Sequence, residues 1–146
     1  MADTTLFDDL TAPEREAFFS TAHEVSYDDG DRLFDEGGPA GYCWLIRHGR
    51  VALDTAVPGR GHVVVQTLGP GDLLGWSWLV PPYRWMFDAR ATDETSAIAF
   101  DAACLRETCE ADPGVGYALL QRVVTVMSDR LRSARIRLLD LYGTPT

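Results

Sequence analysis

The alternation of hydrophobic and polar residues changes twice along the chain and divides it into three parts. Near the N-terminus, residues 11–14 read TAPE, the form of a capping box, and predict a short helix that ends near Thr21 and buries Phe18. From about residue 22 to residue 100, short β-rich runs alternate with glycine-containing turns. This spacing predicts an antiparallel sandwich or barrel, with a hairpin loop at residues 58–61.

Helical periodicity dominates the rest of the chain. Asp101 has the position of an N-cap for a short helix that ends before residue 112, and a longer helix is predicted from about residue 114 to Tyr142, because no proline interrupts it. Apolar residues of the long helix recur in steps of four and three, the spacing of a coiled-coil seam. This seam consists of Leu120, Val124, Met127, Leu131, Ala134, Leu138 and Leu141.

A second apolar stripe lies on the same helix and is expected to face the β domain. It is formed by Leu119, Val123, Val126 and Ile136. A helix that is apolar on two sides needs two partners, and the simplest second partner is another copy of the chain. The pattern therefore predicts a homodimer that uses the seam as its interface; the alternative is a helix buried within its own domain.

Length, composition and charge narrow the class of protein. The chain has 146 residues and is 46% hydrophobic, so we expect one globular domain over residues 1–146, with a β-roll at about 22–100 and C-terminal helices at about 101–142. No apolar run approaches a membrane span, and the acidic start lacks a signal pattern, so no membrane contact and a cytoplasmic location are expected. The net charge of −9 argues against direct DNA binding, because phosphate contacts require a basic face.

Catalytic and metal chemistry are sparse. The three histidines are far apart and form no H-x-H pair, so no metal site of the cupin type is predicted. No nucleophile–base pair, P-loop or dinucleotide motif is present, so no catalytic residue is predicted and the chain is not expected to be an enzyme. Cys43, Cys104 and Cys109 lack CxxC spacing and are predicted to be buried free thiols. Axial haem ligation by Cys43, His48 or His62 stays open as an alternative.

The residues 74–85, LGWSWLVPPYRW, hold three tryptophans, a tyrosine, an arginine and two adjacent prolines. A loop that only joins two strands does not need such a concentration of large side chains. The aromatics could line a ligand site, or they could form a protein-docking surface, since Trp, Tyr and Arg are enriched in interface hot spots. For Trp76 and Trp78, simple filling of the barrel core is a third interpretation.

The glycine motifs carry a resemblance to a known family. GD at residues 30–31, GRV at 49–51 and LGPGDLLG at 68–75 resemble, in order and spacing, the cyclic nucleotide-binding domain of the cyclic-AMP receptor (Crp/Fnr) family. The resemblance extends over about residues 11–142. It implies a mainly β fold with flanking helices: a jelly roll, or double-stranded β-helix, with a phosphate-binding cassette that opens at Gly75 and a long C-terminal dimerisation helix.

The resemblance also implies a ligand site, with cyclic AMP or cyclic GMP as the ligand. Backbone amides near Gly75 would hold an anion, an arginine would pair with it, and tryptophans would form the walls. The implied ligand-binding residues are Gly75, Trp76, Ser77, Trp78, Arg84 and Trp85. Arg90 is the alternative cassette arginine. In relatives the dimerisation helix closes over the base, a role that Arg130, Ala134 or Arg135 would take here.

One position departs from the family pattern. Members that bind cyclic nucleotides usually follow the cassette glycine with a glutamate, which accepts a hydrogen bond from the ribose, but this chain has Trp76 there. An indole offers only a donor. Three interpretations remain open: altered binding of a cyclic nucleotide, binding of a flatter or more apolar ligand, or a closed cassette.

The implied function is regulatory. Full regulators of the family continue past the long helix into a helix-turn-helix domain, whereas this sequence stops at Thr146, which also favours no direct contact with DNA. The two hypotheses are a non-enzymatic, small-molecule-sensing homodimer and a ligand-free interaction module that docks through the Trp-rich cassette. In either case the partner would be another regulatory protein or an enzyme.

Overall fold

The computed structural model describes residues 11–20 and 22–142 as a β-roll flanked by helices. Helix α1 (Ala12–Phe19) precedes the strands, and helices α2 (Ala102–Ala111) and α3 (Pro113–Tyr142) follow them. The strands are β1 (His23–Tyr27), β2 (Arg32–Phe34), β3 (Tyr42–His48), β4 (Val51–Val57), β5 (Gly61–Leu68), β6 (Leu73–Leu74), β7 (Asp88–Ala91) and β8 (Thr95–Asp101). The predicted mainly β fold class with flanking helices is confirmed.

The strands form two antiparallel four-stranded sheets, ordered β1-β8-β3-β6 and β2-β7-β4-β5. Among the described strands, only β4 and β5 are consecutive in the chain and neighbours in a sheet, and they are joined by the hairpin predicted at residues 58–61. The other pairings join strands that are distant in sequence. This order is that of a jelly roll, in which the chain crosses repeatedly between two sheets.

Glycine is required where the β3–β4 connection turns tightly against the end of β8. Gly49 has φ +95°, and a Cβ atom there would lie 2.4 Å from both the Glu94 carbonyl oxygen and the Thr95 hydroxyl. The Thr95 Oγ1 atom also accepts from the Arg50 amide, at 3.2 Å, and donates to the Arg50 carbonyl. A side chain at residue 49 would therefore break this junction, which explains the GRV motif physically.

The helices begin and pack much as the sequence predicts. The Asp101 carboxylate accepts a hydrogen bond from the Cys104 amide at 3.0 Å and caps α2. Phe18 on α1 is fully buried, as predicted, and so are Leu119 and Val123 on α3, which pack into the core between the sheets. The prediction for the second stripe fails at Ile136.

Ile136 was expected to face the β domain, but its side chain is 52% exposed. It lies thirteen residues after Val123, and at 100° per residue this turns it about 140° away from the buried face of α3. Every residue from 131 to 141 is exposed in the single chain. The last three turns of the helix therefore contribute little to the core of their own domain.

The predicted seam of α3 is unpartnered in the single chain. Its large apolar residues are mostly exposed: Leu131 is 71% exposed and Leu141 is 76% exposed. Met127 is the exception, because it packs partly against the core. Cys43 is buried as predicted, but Cys104 and Cys109, both on α2, are only partly buried, contrary to the prediction. Among the described residues, no helix is long and apolar enough to cross a membrane.

Candidate functional site

The cassette begins where β6 ends. Gly75 has φ +92°, and a short 3-10 turn, Ser77–Leu79, follows it. Trp78 is buried, and its indole N–H donates to the Gly75 carbonyl at 3.2 Å. From α2, the Arg106 guanidinium donates to the Trp78 carbonyl at 2.8 Å. Trp78 is therefore part of the framework that holds the turn, and α2 fixes the position of that turn.

Trp85 belongs to an aromatic stack inside the roll. Its ring lies 3.9 Å from the ring of Phe34, centroid to centroid, with only 12° between the planes. Trp44 packs beside both rings, at 5.7 Å from Phe34 and 5.9 Å from Trp85. Since Trp85 is only 6% exposed, its side chain is a buried wall of the cassette.

The edge of the Trp85 indole lies directly in front of Gly75. A Cβ atom on Gly75 would come within 2.9 Å of Cη2 and 3.0 Å of Cζ3 of that ring. The cavity left beside Gly75 and Ser77, walled by Trp85 and Phe34, measures about 20 Å³. That is room for about one water molecule. The Trp85 ring edge therefore takes up most of the space beside Gly75.

A larger cavity lies between the roll and α3. It measures about 460 Å³, within the range of small-molecule sites. Its walls are mostly apolar and come from the β2-β7-β4-β5 sheet, the cassette and the helix. The lining residues are Leu53, Gln66, Trp76, Phe87, Val124, Met127, Ser128, Arg130 and Leu131. Trp76 is thus the cassette tryptophan that faces this cavity.

Arg130 is the charged residue in the wall of the large cavity. It also borders the small cavity beside Gly75. Its guanidinium donates to the Leu73 carbonyl on β6, and no carboxylate of the described residues lies within ion-pair distance of it. Burial lowers the pKa of Arg130, and the field of Asp72 acts in the opposite direction. Arg130 therefore carries a partly desolvated positive charge at the boundary between the cassette and α3.

The two arginines predicted for the cassette lie elsewhere. Arg84 is exposed and donates to the Gly37 carbonyl at 3.2 Å, and it lines neither the 20 Å³ nor the 460 Å³ cavity. The neighbouring Tyr83 ring has a cation–π contact with Arg106, whose guanidinium lies 5.3 Å from the ring centroid. Arg90, on β7, has its guanidinium 3.8 Å from the Asp54 carboxylate. The role of Arg84 as an anion ligand stays a prediction.

A polar cluster lies on the β4–β5–β7 surface. The Nδ1 atom of His62 is 3.2 Å from the Asp54 carboxylate and 3.4 Å from the Asp88 carboxylate, a set of donors that a metal ion could use. Arg90 and Arg32 also face these two carboxylates, at 3.8 and 3.6 Å, and balance their charge. The cluster does not line the large cavity. Leu53 and Phe87, which directly precede Asp54 and Asp88 in the chain, do line it.

The residues weighed for haem ligation do not meet at the cavity either. Cys43 is buried beside Trp78, and this burial raises the pKa of its thiol. His48 is exposed at the end of β3, and His62 belongs to the polar cluster described above. None of the three lines the large cavity as far as the described residues define it.

Comparison with known proteins assigns the β-roll and the cassette to a known family. The family model for the cyclic nucleotide-binding domain matches residues 24–112, which include most of the β-roll, the whole cassette and α2. The chain belongs to the cyclic nucleotide-binding domain family. Its structural neighbours are of the Crp/Fnr type, which confirms the resemblance drawn from the glycine motifs.

Two solved structures illustrate how far the likeness of this cyclic nucleotide-binding domain extends. A protein from Geobacter metallireducens GS-15, assigned as cyclic nucleotide-binding, is 28% identical with a TM-score of 0.79, over 86% of this chain and 91% of that one. The catabolite activator protein of Thermus thermophilus is 24% identical with a TM-score of 0.73, over 94% of this chain and 62% of that one. The second likeness shows the fold alone.

A curated relative is longer than this chain. The HTH-type transcriptional regulator Cmr of Mycobacterium tuberculosis (strain CDC 1551 / Oshkosh) is 25% identical over 129 residues, which are 88% of this chain and 51% of that regulator. The chain thus spans about half the length of this relative.

Several site residues were missed by reasoning from the sequence. Phe87 and Leu53 line the cavity, yet in the sequence they look like ordinary strand residues. Arg84 and Met86 are exposed, whereas Trp85 is buried and Phe87 half-buried, which is the period of two of an extended segment with one face inward. The sequence RWMF does not show this alternation, because Met86 is as apolar as its neighbours.

Proposed function

We propose that this chain is a non-enzymatic, small-molecule-sensing domain whose ligand binds in the cavity between the β-roll and α3. The single observation that carries the proposal is the cavity of about 460 Å³, which has walls from the cassette and from the helix together. Occupancy of such a cavity bears on the position of α3 relative to the roll, because Trp76 lies on one side of it and Met127 on the other.

The signal would be carried by a homodimer. The seam residues Val124 and Leu131 line the cavity and are 58% and 71% exposed in the single chain. A second copy of α3 packed along the seam would cover this apolar surface and close the cavity. The downstream partner is another regulatory protein or enzyme, or a further domain of the kind that the longer relative has.

A ligand-free interaction module is the second candidate. It draws support from the exposed apolar residues of the cassette, Val80, Tyr83 and Met86. The tryptophans that first suggested a docking surface support it less, since Trp78 and Trp85 are buried. In this alternative the cavity would bind nothing, and the exposed rim of the cassette would contact the partner.

Trp76 provides the test of ligand binding, because it lines the cavity. We would titrate cyclic AMP, cyclic GMP and 2-naphthoate, a planar aromatic carboxylate, into the wild-type protein and into Trp76→Phe. Tryptophan fluorescence and heat release would be followed together. Binding of at least one of them, with a fluorescence change that Trp76→Phe lacks, supports the sensor. Heat without a Trp76-dependent change would place binding elsewhere, and silence up to millimolar concentrations for all three would favour the interaction module.

A further inference from the structure

We infer that the ligand of the large cavity is a planar aromatic molecule with a single acidic group that pairs with Arg130, and that it leaves the phosphate cradle at Gly75 unused. This inference rests on the proposed function, since it names the chemical class of the ligand for the same cavity. Three observations carry it: the Trp85 ring beside Gly75, the apolar walls, and a guanidinium with no carboxylate of the described residues within ion-pair distance.

The cradle is blocked by a side chain that cannot move aside cheaply. The Trp85 ring edge fills the space before Gly75 and leaves about 20 Å³, and Phe34 holds the ring by stacking at 3.9 Å. A phosphate group has five heavy atoms, whereas this space suits about one water molecule. A cyclic phosphate seated on the Gly75–Ser77 amides would therefore compete with the Trp85 ring for this space.

The walls of the large cavity favour an aromatic body. Trp76 and Phe87 present rings, Leu53 and Met127 present aliphatic and thioether groups, and the uncharged polar groups come from Gln66 and Ser128. Aromatic rings pack well against other rings and against a polarisable thioether. A sugar would leave several hydroxyl groups beside apolar walls without partners, and each unpaired polar group reduces affinity.

Arg130 favours an acid on that body. Its guanidinium has five N–H donors, and the Leu73 carbonyl is the acceptor that the described residues provide for it. Its charge has no carboxylate within ion-pair distance among those residues, and burial already disfavours that charge. A carboxylate that enters the cavity would supply the missing acceptor oxygens in a geometry that suits a planar guanidinium.

Two matched pairs test the inference by calorimetry. The ligands are 2-naphthoate and its uncharged analogue 2-naphthamide, with cyclic AMP alongside. The variants are Arg130→Met, which removes the charge in the cavity, and Arg132→Met, which removes an exposed arginine two residues along the same helix. We expect naphthoate to bind the wild type and Arg132→Met at least about tenfold more tightly than naphthamide, and Arg130→Met to lose that difference.

Each other outcome is decisive. Equal affinities for naphthoate and naphthamide in the wild type would overturn the acidic group. A preference for naphthoate that survives in Arg130→Met would overturn the assignment to Arg130. Binding of cyclic AMP without binding of naphthoate would overturn the ligand class and leave the sensing function intact. Failure of all three ligands to bind would overturn the sensing function, and the inference with it.

Discussion

Replacement of Gly75 by alanine tests whether the Trp85 indole fills the cradle. The backbone at Gly75 has φ +92°, which costs an alanine about 1–2 kcal/mol. The added methyl would also lie 2.9 and 3.0 Å from two atoms of the Trp85 ring and 3.3 Å from the Tyr42 carbonyl oxygen. Overpacking of this kind adds about 1–3 kcal/mol, so Gly75→Ala should lower the free energy of unfolding by about 2–5 kcal/mol.

Gly59 provides the matched control. It has φ +82° in the β4–β5 hairpin, and a Cβ atom there meets nothing within 4 Å. Gly59→Ala should therefore cost only the backbone strain of about 1–2 kcal/mol. The assay is urea denaturation followed by far-UV circular dichroism at one protein concentration, since any dimer makes stability depend on concentration.

A double-mutant cycle separates the steric contribution from the strain. Trp85→Phe removes the two ring atoms, Cη2 and Cζ3, that a methyl on Gly75 would meet. The double variant should be about 1–3 kcal/mol more stable than the sum of the two single effects predicts. Equal costs for Gly75→Ala and Gly59→Ala, or additive effects in the cycle, would refute the claim that Trp85 occupies the cradle.

Three further predictions concern the seam, the buried thiol and the α2 cap. Leu131→Asp should produce monomers on a sizing column, whereas Thr125→Asp, on an exposed side of α3 away from the seam, should not; an unchanged volume for Leu131→Asp would contradict the seam. Burial raises the pKa of Cys43 from its ordinary 9.0, so its contribution to stability is present below pH 9 and lost as the pH rises. Between pH 8 and 10.5 the unfolding free energy of Cys43→Ala should therefore fall less steeply than that of the wild type, by up to about 1.4 kcal/mol per pH unit; parallel slopes would show that the thiol does not contribute. Asp101→Ala should destabilise the protein by about 1 kcal/mol and Asp101→Asn much less, as an asparagine still accepts the Cys104 amide hydrogen bond; equal losses in thermal unfolding would contradict the cap.

The fold was largely predictable because its signals are local. The capping box, the turn glycines and the heptad spacing each act over a few residues, and they identified α1, the hairpin and α3 correctly. The prediction for Ile136 was wrong because the thirteen positions from Val123 to Ile136 turn it away from the buried face of α3, at 100° per residue.

The site was less predictable because its contacts join distant parts of the chain. Trp85 is buried by stacking on Phe34, which lies far away in the sequence on β2, and no residue near position 85 indicates this contact. Arg106 supports the cassette from α2, although its sequence context is that of an ordinary helix surface. In the same way, His62 meets Asp54 and Asp88 only after β4, β5 and β7 have paired.

The most direct measurement of the central claim is a nitrogen-15 spectrum of the four tryptophan indoles during titration with 2-naphthoate. Trp76→Phe and Trp85→Phe variants assign the two signals that matter. We expect the Trp76 N–H resonance to shift most, because Trp76 lines the large cavity, and the resonances of the buried Trp44 and Trp78 to change little. A shift confined to Trp85 or Trp78 would mean that the ligand enters the cradle, and no shift at all would mean that the cavity does not bind a planar aromatic acid.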